Sequence, residues 1–279
     1  MRAWPAPPPG FVIAPSDARA LYVDAALAAD PAARLLASWE GWRAALAARA
    51  EGSGRGGTAI VDGAGGARWR LKLMRRGGRL APLWRGRYPS PARLVSTLSA
   101  SVEARARNIP TPRPIALLVE SGFAGLTRGA LAIEEIPATQ DLARLAQRKA
   151  VGEDDLAAAM TAVRAMHDRG MIHPDLNLGN ILLRGAGSGR PEAFVIDLDR
   201  VRFTDGPVGF GARQAAVRRM ERSCAKLTGD AGPLGPGSRD LWYELYAGSD
   251  EAMARRLARH RGIGRLSLAV HRAGWKRPS

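Results

Sequence analysis

The stretch His173-Pro174-Asp175-Leu176-Asn177-Leu178-Gly179-Asn180 constrains this chain more than any other. A histidine stands two positions before an aspartate, and an asparagine stands five positions after it. The apolar run Ile181-Leu182-Leu183 follows at once, and a second run, Phe194-Val195-Ile196, ends on Asp197. Two short apolar runs in this arrangement predict a β-hairpin. Such a hairpin returns Asp197 to the loop that carries Asp175 and Asn180.

The spacing has a chemical reading. H-x-D-L-x-x-x-N, a hairpin and then an aspartate is the pattern of a kinase-like catalytic core. Transfer of the γ-phosphoryl group of ATP needs a carboxylate beside the attacking hydroxyl, and Asp175 fits. It also needs oxygen ligands for Mg²⁺, a hard cation that prefers carboxylate, carbonyl and water. Asn180 and Asp197 fit that need. The plainer reading is a strand-turn-strand unit whose Asp and Asn make only turn hydrogen bonds. Any one residue fits either reading, whereas the set in this order favours the first.

Composition sets bounds on the rest. The chain has 279 residues, 46% of them hydrophobic, enough for one large domain or two lobes with ample core. No apolar stretch approaches the ~18 residues of a spanning helix. The first residues, Met1-Arg2-Ala3-Trp4-Pro5, lack the apolar core of a secretory signal, so the expected location is cytosolic. Cys224 is the only cysteine, which excludes an internal disulfide and a cysteine-based zinc cluster. The formal net charge of +16 favours an anionic partner: nucleic acid, an acidic membrane surface or a phosphorylated substrate. Part of that charge is compositional, since the chain is rich in Ala, Arg and Gly throughout.

Along the chain, residues 1–20 are rich in Pro and Ala and read as a loose or extended arm. Asp30-Pro31 suits a helix start, with Leu35, Leu36, Trp39, Trp42 and Leu46 at near-helical spacing. Gly52 to Thr58 forms a Gly-rich turn ahead of a strand, able to bring backbone N–H groups near phosphates. A flexible hairpin turn is the alternative. Arg68 to Leu73 alternates like a strand and carries Lys72 where a phosphate-holding lysine stands in kinases. Arg75 to Tyr88 is basic and aromatic, either an anion contact or a solvated loop. A helix is expected from Ser90-Pro91 to about Arg107, and Leu131 to Pro137 reads as a buried strand entering a linker. Asp141-Leu142 opens the second lobe. A helix begins at Glu153-Asp154-Asp155, buries Leu156, Met160, Val163 and Met166, and ends at Gly170. His173 is expected to pin the loop backbone rather than to act as ligand or base. Further helices are expected at roughly 211–228 and 238–262. Arg213, Arg218, Arg219, Arg222 and Lys226 read as a basic stripe, either a solvated face or a contact for a membrane surface or an anionic acceptor.

These residues resemble the 3-deoxy-D-manno-octulosonic acid (Kdo) kinases of the lipopolysaccharide kinase family, a branch of the protein-kinase-like fold. The resemblance rests on Gly54-Arg55-Gly56-Gly57, on Lys72 to Gly78, and on Pro110-Thr111-Pro112-Arg113-Pro114. It rests further on Glu135-Ile136-Pro137, His173 to Asn177, Asn180 to Leu183, Ile196-Asp197-Leu198-Asp199-Arg200 and the Arg213 to Leu227 segment. It covers about residues 50 to 250.

The resemblance implies an α+β, two-lobed fold. Residues 1–50 would be an arm and helix. Residues 51–136 would be an N-lobe of antiparallel sheet with one main helix, and residues 137–279 a mostly helical C-lobe. It implies ATP-dependent phosphorylation of a hydroxyl, the 4-hydroxyl in known members, of Kdo on a lipid A precursor. Asp175 would be the base or orienting carboxylate, Asn180 and Asp197 the Mg²⁺ ligands, and Lys72 the phosphate-holding lysine. The backbone at Glu135 and Ile136 would hold adenine, and Gly54, Gly56 and Gly57 would cover the triphosphate. The acceptor would be an anionic glycolipid reached by peripheral contact with the cytoplasmic face of the inner membrane, with nucleic acid not expected as a partner.

Two departures stand out. The only acid in the 91–106 helix is Glu103, far along it for the glutamate that kinases pair with the strand lysine. Asp199 replaces a glycine after the metal aspartate, which argues against an activation-loop switch and phosphorylation control. The competing readings are an aminoglycoside-type or other lipopolysaccharide-core sugar kinase, a protein kinase, or an inactive basic binding module on the same fold.

Overall fold

A computed structural model of the chain describes residues 3–30, 40–42, 44, 58–63, 66–74, 86–122, 125–230 and 232–259. The chain divides into two compact units: Met1–Ala106 with Pro112–Glu135, and Arg107–Thr111 with Ile136–Ser279.

The first unit contains β1 (Phe11–Pro15), β2 (Arg19–Asp24), β3 (Thr58–Asp62), β4 (Arg68–Leu73), α1 (Pro91–Ala106), β5 (Pro114–Ser121) and β6 (Thr127–Glu134). The strands form one antiparallel sheet in the order β1-β2-β5-β6-β4-β3. Side chains alternate between faces along each strand. One face buries Leu21, Val23, Trp69, Leu71, Ala116, Leu118 and Ala132, with Trp42 against them. The other buries Tyr22, Leu117, Val119 and Leu131 under Leu94, Val95 and Leu98 of α1. β5 is covered on both sides, which explains its unbroken apolar run Ile115-Ala116-Leu117-Leu118-Val119. Each fully buried leucine here contributes about 2 kcal/mol.

The loose-arm reading of residues 1–20 is corrected. Phe11–Pro15 and Arg19–Asp24 are sheet strands, because Leu21-Tyr22-Val23 is a compact apolar run that pairs with Ala116-Leu117-Leu118. The prolines that suggested an arm, Pro7-Pro8-Pro9, precede β1, and Pro15 sits within that edge strand, where a missing N–H is tolerated. Ahead of it, the Trp4 indole donates to the Ser16 carbonyl at 2.9 Å and the Tyr22 hydroxyl to the Pro5 carbonyl at 2.8 Å. The helix expected from Asp30-Pro31 lies outside the described residues, apart from helical residues 40–42 and 44.

The second unit contains β7 (Thr139–Asp141), α2 (Leu142–Gln147), α3 (Glu153–Asp168), β8 (Met171–Ile172), β9 (Ile181–Arg184), β10 (Glu192–Val195), β11 (Arg202–Phe203), α4 (Phe210–Thr228), α5 (Leu241–Ala247) and α6 (Glu251–Arg259). The strands form a three-stranded sheet, β10-β9-β7, and a two-stranded one, β11-β8. The expected α+β class is thus observed: among the described residues, the first unit is sheet with the helix α1 against it, and the second is mostly helix.

α3 opens on Glu153, Asp154 and Asp155, acids that suit the positive end of the helix dipole. The Asp155 carboxylate is buried and accepts two N–H groups at 3.0 Å, from Gly152 and from Gly187 in the hairpin turn. It therefore fastens the hairpin to the helix start. Beyond the far end of α3, Gly170 has φ +80°, and a Cβ there would fall 2.7 Å from the Thr204 carbonyl and 2.8 Å from that of Gly206. Only glycine fits that close approach.

The basic-stripe reading of α4 is also corrected. At about 100° per residue, Arg218, Arg219, Arg222 and Lys226 share one arc while Arg213 faces the opposite side. Arg213 is buried, donating Nε–H to the Val208 carbonyl at 2.6 Å and Nη1–H to Asp168 Oδ1 at 2.5 Å and the Tyr246 hydroxyl at 3.3 Å. It ties α4, α3 and α5 together. Among the described residues, no helix is long and apolar enough to cross a membrane.

Candidate active site

The site in the second unit is built on β8, the β9–β10 hairpin and the loop between β8 and β9. Asn177 caps a single 3-10 turn over Leu178–Asn180, with its Oδ1 accepting the Gly179 N–H at 2.9 Å. The two asparagines then act on the same atom. Asn177 Nδ2 donates to the Asp175 carbonyl at 2.8 Å, and Asn180 Nδ2 donates to it at 2.9 Å. The main chain of Asp175 is clamped while its side chain is exposed. Leu176 and Leu178 are fully buried on either side and anchor the loop from below.

The hairpin returns as the sequence predicts. Ile181 pairs with Val195 at its open end, and the Ile196 N–H donates to the Asn180 carbonyl at 2.9 Å. Asp197 follows directly. It sits in the left-handed region, φ 61°, and so does Arg200, φ 63°. Asp adopts that region more readily than most side chains, at a cost of about 1 kcal/mol. The spacing gives no sign of this twist, which turns the chain sharply just after the hairpin.

His173 is buried, and its Nε2 lies 3.2 Å from the Ile196 carbonyl, so Nε2 carries the proton and donates. It pins the loop to the segment before Asp197, as expected for a structural histidine. Its Nδ1 is buried and has no hydrogen-bond partner among the described residues. Burial lowers the His173 pKa, against the opposing pull of the Ile196 carbonyl and of Asp197 and Asp175. The ring is neutral around pH 7.

α4 contributes contacts that the motif spacing does not reveal. Arg219 Nη2 donates to the His173 carbonyl at 3.1 Å, and the Ser223 hydroxyl accepts the Leu178 N–H at 3.3 Å. The i, i+4 spacing of Arg219 and Ser223 was the available signal, since it places both on one helix face.

In the first unit, Lys72 lies on β4 opposite Thr58 of β3 and Leu131 of β6. Trp69 and Leu71 point to the Trp42 face, so Lys72 points to the face that α1 covers. Glu103 is on the last turns of α1 and half-buried. Glu135 uses its side chain for a two-point pair with Arg70, at 2.5 and 2.7 Å, and its N–H for the Arg68 carbonyl at 2.8 Å. The Ile136 carbonyl accepts from the Thr139 hydroxyl at 3.2 Å. The boundary between the units falls between Glu135 and Ile136. Gly54, Gly56 and Gly57 lie outside the described residues.

The donor set around Asp197 suits magnesium. Asn180 and Asp197 offer hard oxygens, and among the described residues no group of three or more His, Cys, Asp or Glu side chains could hold an ion alone. An ion that keeps waters and substrate phosphates among its ligands needs only one or two protein oxygens.

The profile of the lipopolysaccharide kinase (Kdo/WaaP) family matches residues 40–232. The chain belongs to this family. It is therefore a kinase. A 3-deoxy-D-manno-octulosonic acid kinase of Xanthomonas oryzae pv. oryzae is 33% identical to it over 184 residues, covering 63% of this chain and 69% of the relative. The enzyme of the same description from Haemophilus influenzae is 28% identical over 164 residues, covering 57% and 66%. A solved structure described as WaaP in complex with acyl carrier protein aligns with a TM-score of 0.46 and 18% identity, over 84% of this kinase and 96% of that chain.

Proposed function

We propose that this kinase transfers the γ-phosphoryl group of ATP to a hydroxyl of Kdo, the 4-hydroxyl, on Kdo–lipid A precursor. The observation that carries the reading is the clamped Asp175. Two asparagine side chains fix its main-chain carbonyl, so the backbone from which its exposed carboxylate extends is held beside the hairpin that delivers Asp197. Such fixing of a reacting group is a large part of phosphoryl-transfer catalysis.

The acceptor hydroxyl gives its proton to the Asp175 carboxylate. Its oxygen bonds to the γ-phosphorus as the bond to the β–γ bridging oxygen breaks, and ADP leaves. Asn180 Oδ1 and the Asp197 carboxylate would hold Mg²⁺, which would neutralise charge on the phosphates. Lys72 holds phosphates, the backbone at Glu135 and Ile136 receives adenine, and Gly54, Gly56 and Gly57 cover the triphosphate. At Glu135 the contact falls to the carbonyl, because its N–H is committed to Arg68. The net charge of +16 supports an anionic glycolipid acceptor and a peripheral contact with the cytoplasmic face of the inner membrane.

The test is an acceptor panel with radiolabelled ATP and Mg²⁺: Kdo–lipid A precursor, an aminoglycoside, another core sugar and a generic protein. Label on the Kdo glycolipid alone is the expected result. Label only on another acceptor overturns the substrate assignment.

A further inference from the structure

α4 is stitched to both ends of the catalytic loop, to His173 through Arg219 and to Leu178 through Ser223, and Asp175 lies between those two points. Arg222 precedes Ser223 by one residue and follows Arg219 by three, so the two guanidiniums are neighbours on the helix surface. Both side chains are half-buried. Among the described residues neither forms an ion pair with a carboxylate. Arg219 Nε is buried without a hydrogen-bond partner. Burial and the like charge of Arg222 pull the Arg219 pKa down, and the Asp175 carboxylate acts in the opposite sense.

Two like charges held close, partly desolvated and without a dedicated acid, raise the energy of the empty site. An anion between them removes that cost and adds charge-assisted hydrogen bonds. Other arginines of the unit have such acids: Arg213 has Asp168, Arg164 has Asp250, and Arg239 has Glu221. Among the described residues Arg219 and Arg222 have no such acid, and they stand on the helix that holds the loop from which the exposed Asp175 side chain extends.

We propose that Arg219 and Arg222 form an acceptor subsite that holds a carboxylate of the sugar being phosphorylated, next to Asp175. This rests on the reading of Asp175 as the residue facing the acceptor hydroxyl. The acceptor is an acidic sugar, so its carboxylate and hydroxyl are carried on one ring. Holding the acid on α4 fixes the distance from the hydroxyl to Asp175. It also selects acidic sugars over neutral ones, because a neutral sugar leaves both guanidiniums unpaired. Lys226, exposed one turn beyond Arg222, extends the cationic line away from the loop, towards further acidic groups of the acceptor.

The test compares wild type, Arg222→Ala and Arg222→Lys with Kdo–lipid A precursor and with the same acceptor methyl-esterified at the Kdo carboxyl. Arg222 is the cleaner position, since Arg219→Ala would also remove a loop contact. Equilibrium binding and transfer are both measured. Wild type is expected to bind the acid at least about 10-fold more tightly than the ester. Arg222→Ala is expected to lose most of that discrimination, with its KM for ATP within about twofold of wild type and Arg222→Lys between the two. Unchanged discrimination in Arg222→Ala, or an effect confined to the KM for ATP, overturns the subsite. If transfer is absent from wild type while the acid binds in an Arg222-dependent way, the subsite stands and the catalytic reading falls.

Discussion

Asn180 donates its Nδ2–H to the main-chain carbonyl of Asp175 at 2.9 Å, across five residues. The bond makes one side chain serve two tasks. Its nitrogen fixes the loop, and under the proposed function its oxygen would hold Mg²⁺. Asn180→Asp separates the tasks, since it keeps the oxygen but places a carboxylate against the Asp175 carbonyl. We expect kcat to fall by about 100-fold or more in Asn180→Asp as well as in Asn180→Ala, with unchanged circular dichroism. Comparable turnover in Asn180→Asp would show that the clamp is unimportant.

Arg213 is a structural arginine and not part of a binding face. Removing it leaves the Val208 carbonyl and the Tyr246 hydroxyl without their donor and leaves Asp168 only its 3.5 Å pair with Arg164. Asp168 is 46% exposed, which reduces the penalty below that of a fully buried pair. Arg213→Ala is expected to lose about 2–3 kcal/mol in urea unfolding, and Lys226→Ala less than about 0.5 kcal/mol. Equal effects would return Arg213 to the surface.

His167 gives the fold a pH dependence. Its Nδ1 lies 2.8 Å from the Tyr246 hydroxyl, and Arg213, Asp168, Arg219 and His173 are the titratable groups that act on it. Burial, reinforced by Arg213, pushes its pKa down to about 3. The unfolded chain binds this proton below about pH 6.5, whereas the folded one does not until about pH 3. This stability is therefore complete above pH 6.5 and is lost progressively as pH falls towards 3. His173 adds a slope of the same sign. His167→Gln is expected to take up about one proton fewer on unfolding between pH 4 and 6, read from urea midpoints across pH. An unchanged slope would contradict the buried neutral ring.

Gly170 carries a backbone requirement. Gly170→Ala must hold φ near +80° and push a Cβ against two carbonyl oxygens that belong to the β11 turn. A loss of at least about 2 kcal/mol is expected in urea unfolding. A neutral substitution would mean that the turn opens freely.

Much of the site could be read from spacing alone. The loop, the hairpin and the return of Asp197 are local in sequence, and periodicity reports local structure well. The limits of α3 followed from its apolar stripe and Gly170, and those of α4 from the glycines and prolines that flank it. What escaped depends on tertiary neighbours. β1 and β2 are short and lie among prolines, and the pairing of β2 with β5 bridges about a hundred residues. Arg213 looked like its basic neighbours until its position around the helix placed it opposite to them. The left-handed turn at Asp197 leaves no trace in a residue that is common in loops.

The account turns on Asp175, and the most direct measurement is phosphoryl transfer to Kdo–lipid A precursor by Asp175→Ala beside wild type, with Mg-ATP binding measured on both. The account predicts label on the glycolipid with wild type, none above background with the variant, and nucleotide affinity within about threefold. Undiminished transfer by Asp175→Ala would contradict it.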